Sequence, residues 1–98
     1  MTIVTHVFIE PGKEPMWDAA WRERVDSAKK QRGWIGAQLA IPADAVNQRV
    51  IVGTWETRAD WEAWHGTAAF EKTRKQMQDA ETENRHERWH EVLVDEHR

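Results

Sequence analysis

The sequence predicts an α+β fold, one antiparallel sheet of four strands with two helices on one face, and three observations predict it. Four short segments rich in β-branched and aromatic residues are divided by turn residues. Two amphipathic stretches of helical period stand between the first and second of these and between the third and fourth. The 98 residues leave room for a single domain, residues 1–98, without linker or internal repeat. A βαββαβ order in so short a chain is that of the ferredoxin-like sandwich.

Thr2 to Glu10 supplies the first strand, and Pro11-Gly12 ends it with turn chemistry. Its faces, Ile3, Thr5, Val7, Ile9 and Val4, His6, Phe8, are both largely apolar, which suits an inner strand covered on both sides. Pro15 stands at a first helical position, and Trp17, Trp21, Val25 and Ala28 follow at helical spacing, with Asp18, Arg22, Glu23 and Asp26 opposite. Gly33 predicts the end of that helix. Trp34 to Ile41 and Gln48 to Trp55 then read as a hairpin whose loop lies around Asp44 to Asn47.

Thr57 and Asp60 have the spacing of a capping box and start a short helix near Arg58. Gly66-Thr67 interrupts it, and Thr67 caps a second piece through Phe70, Arg74 and Met77 toward Glu81. The charge run from Glu71 to Arg85 reads as a solvated outer face. A last strand is predicted over Arg88 to Asp95, with Trp89, Glu91 and Leu93 on one face and His90, Val92 and Val94 on the other. Strands apolar on both sides leave one sheet face without helices to cover it, so a homodimer through that open face is expected.

Composition narrows the partners. Seven Trp, two Phe and no Tyr make the aromatic content almost all indole, which can build a core, line a pocket or form an interface. A net charge of −3 with both signs interspersed offers no basic face, so neither nucleic acid nor an anionic membrane is an expected partner. The absence of Cys excludes disulfides, thiolate metal sites and cysteine nucleophiles, and it suits a reducing compartment. With no basic leader and no apolar run near the ~20 residues of a membrane span, a cytoplasmic location is expected.

Several side chains carry a chemical reading beside a structural one. Trp61 and Trp64, three apart, share a helical face and pack as core or wall a pocket on which a planar molecule stacks. His6, in mid-strand beside Val4 and Phe8, is either a hydrogen-bonded structural histidine or a base of near-neutral pKa. His65, where the helix breaks, could cap or bind. His86 and His90, on one face of a strand, stand ~13 Å apart, too far to share one ion at ~2 Å each, so no metal site is expected.

The segment from Trp55 to Arg74 resembles the antibiotic biosynthesis monooxygenase (ABM) family of dimeric α+β barrel proteins. In that family a strand ending in Trp or Phe leads into S-x-x-x-[FW]-x-x-[WH] and then S/T-x-x-F. Trp55, Thr57, Trp61, Trp64, Thr67 and Phe70 stand at those places here. The resemblance implies the barrel fold, a homodimer, and a site for a small aromatic or apolar molecule. In the family's cofactor-free oxygenases, the pocket Trp falls on Trp64, their Asn one turn earlier on Asp60, and the nearest aromatic to their Tyr is Phe70. In its haem-degrading members, the strand-one Asn, pocket Trp and proximal His fall near His6, Trp64 and Arg74.

The expected function is therefore a cofactor-independent monooxygenase acting on a quinol-like planar aromatic. His6, Trp64 and Arg74 are its expected catalytic residues, and Trp55, Trp61, His65 and Phe70 its expected substrate-binding ones. Arg74 or Arg85 would stabilise an anionic oxygen. A haem protein and a non-enzymatic small-ligand binding module are the alternatives.

Overall fold

Strand alternation decides which side of each strand meets the helices. In the computed structural model, which describes all residues from Met1 to Arg98, the elements are β1 (Thr2–Phe8), α1 (Glu14–Ala28), β2 (Trp34–Ala40), β3 (Gln48–Trp55), α2 (Arg58–His65), α3 (Ala68–Ala80) and β4 (His86–His90). The strands form one sheet in the order β2-β3-β1-β4, every neighbouring pair antiparallel. Ile3, Thr5 and Val7 of β1 and Arg49, Gly53 and Trp55 of β3 are buried toward the helices. The other face of β1, expected to be covered, is open in this chain. Val4 and Phe8 are only half-buried there, and His6 between them is exposed.

The core divides in two. Val7, Ile9, Trp17 and Met77 have no exposed surface and anchor a cluster where α1 and α3 pack together over the sheet. A second cluster gathers Ala28, Trp55, Trp64 and Phe70, with Trp34 and Trp61 packed against it. Arg49 is also buried, and it is fully engaged. It forms a bidentate pair with Asp18 at 2.9 and 3.0 Å and donates to the carbonyls of Val46 and Gln48 at 2.8 Å each.

Caps place the two helical pieces. Thr57 Oγ1 accepts from the Asp60 backbone N–H at 3.1 Å and donates to the Asp60 carboxylate at 2.9 Å, a variant of the expected box. Thr67 Oγ1 accepts from Phe70 N–H at 3.3 Å and donates to the Trp64 carbonyl at 2.7 Å, so one hydroxyl ties the end of α2 to the start of α3. The break comes from the extended backbone of Thr67, since Gly66 keeps right-handed helical angles.

Two boundaries differ from expectation. Helix α1 ends at Ala28, ahead of Gly33, which instead turns the chain into β2 with φ +83°. The last strand begins at His86 and stops at His90, short of the predicted Asp95. Its partner sets that limit: His90 pairs with Thr2, where β1 begins, so the residues beyond have no ladder to join. Val92, Leu93 and Val94 are accordingly exposed. No helix is long and apolar enough to cross a membrane.

Candidate active site

Between the helices and the covered sheet face lies a cavity of about 60 Å³. It opens onto a wider vestibule of about 370 Å³, with which it shares Arg24, Trp61, His65, Phe70, Arg85 and Glu87. The spacing along α2 turns Trp61, Trp64 and His65 toward this space, and the Thr67 junction brings Phe70 of α3 beside them. Ring centroids run 5.4 Å from Trp55 to Trp64, 4.8 Å from Trp64 to Phe70, 3.8 Å from Phe70 to His65 and 3.6 Å from His65 to Trp61. The result is a continuous aromatic wall. Trp64 is held in place by its indole N–H, which donates to Ser27 Oγ of α1 at 3.2 Å.

His65 is the titratable group of the wall. Its Nδ1 lies 2.9 Å from the Trp61 carbonyl oxygen. A carbonyl only accepts, so Nδ1 carries the proton and Nε2 keeps the lone pair. Burial pulls its pKa below the ordinary imidazole value; the Trp61 carbonyl opposes that shift, and the charge of Arg24 adds to it. At neutral pH the ring is an uncharged base.

Arg24 of α1 reaches the same space. It is 5 % exposed, its Nε donates to Thr73 Oγ1 at 3.1 Å, and its guanidinium carbon sits 4.2 Å from the centroid of Phe70. Its Nη2 is buried with no acceptor in the protein. Burial, reinforced by the nearby charge of Arg85, lowers its pKa to about 10. The side chain therefore stays cationic at neutral pH.

Of the residues singled out in the sequence, Trp55, Trp61, Trp64, His65 and Phe70 all line the cavity. Arg85 lines both spaces, paired with Glu81 at 2.8 Å, while Glu81 also accepts from the Trp17 indole at 3.2 Å. Arg74 lines only the vestibule, half-exposed and 3.4 Å from Glu71. His6 is not at the site. The residue that β1 turns inward is Thr5, so alternation sends His6 to the open face, opposite Val50 and His86 in the ladder. Its expected role as base has no geometry here.

Arg24, Thr73 and Glu87 escaped sequence reasoning. Arg24 did leave a signal, since it falls within the helical stripe of Trp17, Trp21 and Ala28, where an unpaired charge is out of place. Haem does not fit these residues. The place of an axial His is taken by Arg74, and His65 is wedged between two rings with its Nδ1 bonded to the Trp61 carbonyl. No three His, Asp or Glu side chains are gathered where they could hold a metal ion.

Fold and cavity define the class: an α+β sandwich with an aromatic chamber between its helices and sheet. Residues 1–76 match the family model of antibiotic biosynthesis monooxygenase, and the chain belongs to that family. No curated protein matches it by sequence. Among solved structures, a candidate antibiotic biosynthesis monooxygenase from Nitrosomonas europaea superposes with TM-score 0.88 at 19% identity, covering 95% of this chain and 98% of that one. A cofactor-independent oxygenase from Streptomyces nogalater superposes with TM-score 0.82 at 14% identity, covering 97% and 96%. A Mycobacterium tuberculosis protein gives TM-score 0.85 at 14% identity, covering 96% and 95%. At such identities these likenesses speak for the fold alone.

Proposed function

We propose that the chain is a cofactor-independent monooxygenase acting on a small planar aromatic of quinol type. The observation that carries this reading is the chamber itself, an indole-lined slot holding one neutral imidazole in a chain of the ABM family. One ring of the substrate stacks on the wall of Trp64 and Phe70, and the rest occupies the vestibule. His65 Nε2 takes the phenolic proton, which raises the electron density of the ring. The ring carbon para to the phenolate oxygen then combines with O₂; one oxygen stays on that carbon as a new carbonyl, and the other leaves as water with the hydrogen of that carbon and the phenolic proton returned by His65. Arg74 or Arg85 at the rim stabilises the negative charge that develops on the oxygen derived from O₂, and the apolar wall keeps solvent water from the reactive carbon.

The test is oxygen uptake by metal-free protein with a panel of dihydroxynaphthalenes and anthracenols. Uptake that depends on protein and falls by about a hundredfold or more in His65→Gln, the usual scale for losing a general base, is the expected result. His6→Ala should leave it unchanged. Uptake no faster than the buffer blank with every substrate overturns the reading.

The reading carries with it a homodimer packed through the open sheet face, and a reducing, cytoplasmic setting for a chain without Cys. A second reading, a non-enzymatic binding module, draws support from the structural employment of the wall: Trp64 is bonded to Ser27 and His65 to Trp61. Ligand binding that survives in the wild type with no turnover would favour it.

A further inference from the structure

We propose that Arg24 is the anion anchor of the chamber, selecting planar aromatic ligands that carry an anionic oxygen, a phenolate or carboxylate, and receiving that oxygen on its free Nη edge. The inference deepens the oxygenase reading by naming its substrate class, and it rests on the same chamber.

The chain contains two buried arginines, 4 % and 5 % exposed, and they differ in one respect. Arg49 is neutralised by Asp18 and donates four hydrogen bonds. Arg24 donates one, to Thr73, and forms no ion pair; the acidic groups whose charges act on it are Glu81 and Glu87. Both of those are directed at Arg85, at 2.8 and 3.9 Å, and Glu81 is held by Trp17 as well. A buried guanidinium without a counter-charge is destabilising, so a fold that can satisfy Arg49 leaves Arg24 unsatisfied where the cavity is. Contact with Phe70 does not remove the deficit. A ring beneath the guanidinium engages its face, whereas the N–H donors lie in its plane and remain free.

The orientation is set by neighbours. Thr73 spends its own proton on the Phe70 carbonyl at 3.0 Å, so its lone pair must face Arg24 Nε. With Nε held by α3, the guanidinium lies over Phe70 and lines the cavity together with Trp64 and His65. A planar ligand lying on the aromatic wall brings an in-plane oxygen to the Nη edge, and a carboxylate can accept from both Nη groups. Arg24 is also the first of three arginines, with Arg74 and Arg85, whose charges act on His65, so an anion beside it would ease protonation of that imidazole.

Isothermal titration calorimetry of the whole chain at neutral pH tests this with two matched pairs, benzoate against benzamide and 2-naphthoate against 2-naphthamide. Wild type should bind at least one acid about tenfold or more tighter than its amide. Arg24→Met, which replaces the stem and removes the charge, should abolish that preference and leave amide affinity within about threefold. Equal affinity for acid and amide in both pairs, or a preference retained in Arg24→Met, overturns the proposal. Should Arg24→Met fail to fold by circular dichroism, Arg85→Met decides. A preference that survives it supports Arg24, and one that vanishes moves the anion to Arg85 and overturns the proposal. Binding needs no turnover, so the two readings fail separately. An acid preference without oxygen uptake leaves an anchored binding module, and uptake without preference leaves an oxygenase lacking this anchor.

Discussion

At the scale of single residues, His65 ties stability to pH. Its imidazole is packed between Trp61 and Phe70, and burial lowers its pKa in the folded chain. In the unfolded chain it returns to about 6.5, so below that pH the unfolded state binds a proton that the folded state resists. The contribution of His65 is fully present above about pH 6.5 and is lost as pH falls toward the folded pKa. Urea unfolding should therefore show stability declining from pH 7.5 to pH 5, with a shallower decline in His65→Gln; parallel profiles would show that this ring is not the cause. Trp64, His65 and Phe70 could be singled out from their spacing because helix geometry is local. Spacing shows Arg24 only as a charge within an apolar stripe, and its significance lies in which partners are missing from around it.

At the scale of elements, one contact fixes the entry to β2. Gly33 has φ +83°, and a Cβ added there would strike the side chain of Asp60, the residue that caps α2 with Thr57. The Gly33 carbonyl also accepts from Glu56 N–H at 2.7 Å, joining the start of β2 to the end of β3. Gly33→Ala should cost about 2 kcal/mol by urea unfolding, part from the left-handed backbone and part from the clash. In an Asp60→Gly background, which also removes the Cβ that would lie 2.7 Å away, its cost should drop to about 1 kcal/mol, the backbone part alone. An equal cost in both backgrounds would show that Asp60 moves freely aside. The sequence marked Gly33 as the end of α1, since a glycine past a helix is a good stop signal, but the close approach of Asp60 is a tertiary fact. The same holds for β4, where apolar alternation continues through Val94 and the pairing edge of β1 does not.

At the scale of the whole molecule, the open face of the sheet governs assembly. Val4 and Val52 stand opposite each other on the two central strands, half-buried and without a helix above them. Apolar surface on central strands favours association, and face-to-face packing of two sheets would cover it in both copies. Val52→Asp should give a monomer with unchanged circular dichroism where sedimentation of the wild type gives a dimer. A monomeric wild type at micromolar concentration would remove the homodimer from the reading.

The sequence by itself determined the order of elements, the break before Thr67, the indole-rich wall and the family, because each is written in local spacing, capping chemistry and composition. Tertiary structure alone decided which half of β1 faces the helices. Two nearly equal apolar faces leave that choice to the packing of α1 and α3, and it removed His6 from the site. It also brought Arg24 of α1, His65 of α2 and Phe70 of α3 around one space. Charges and rings far apart along the chain act on one another only after folding has excluded the water between them, and so the chemistry of the chamber belongs to the fold.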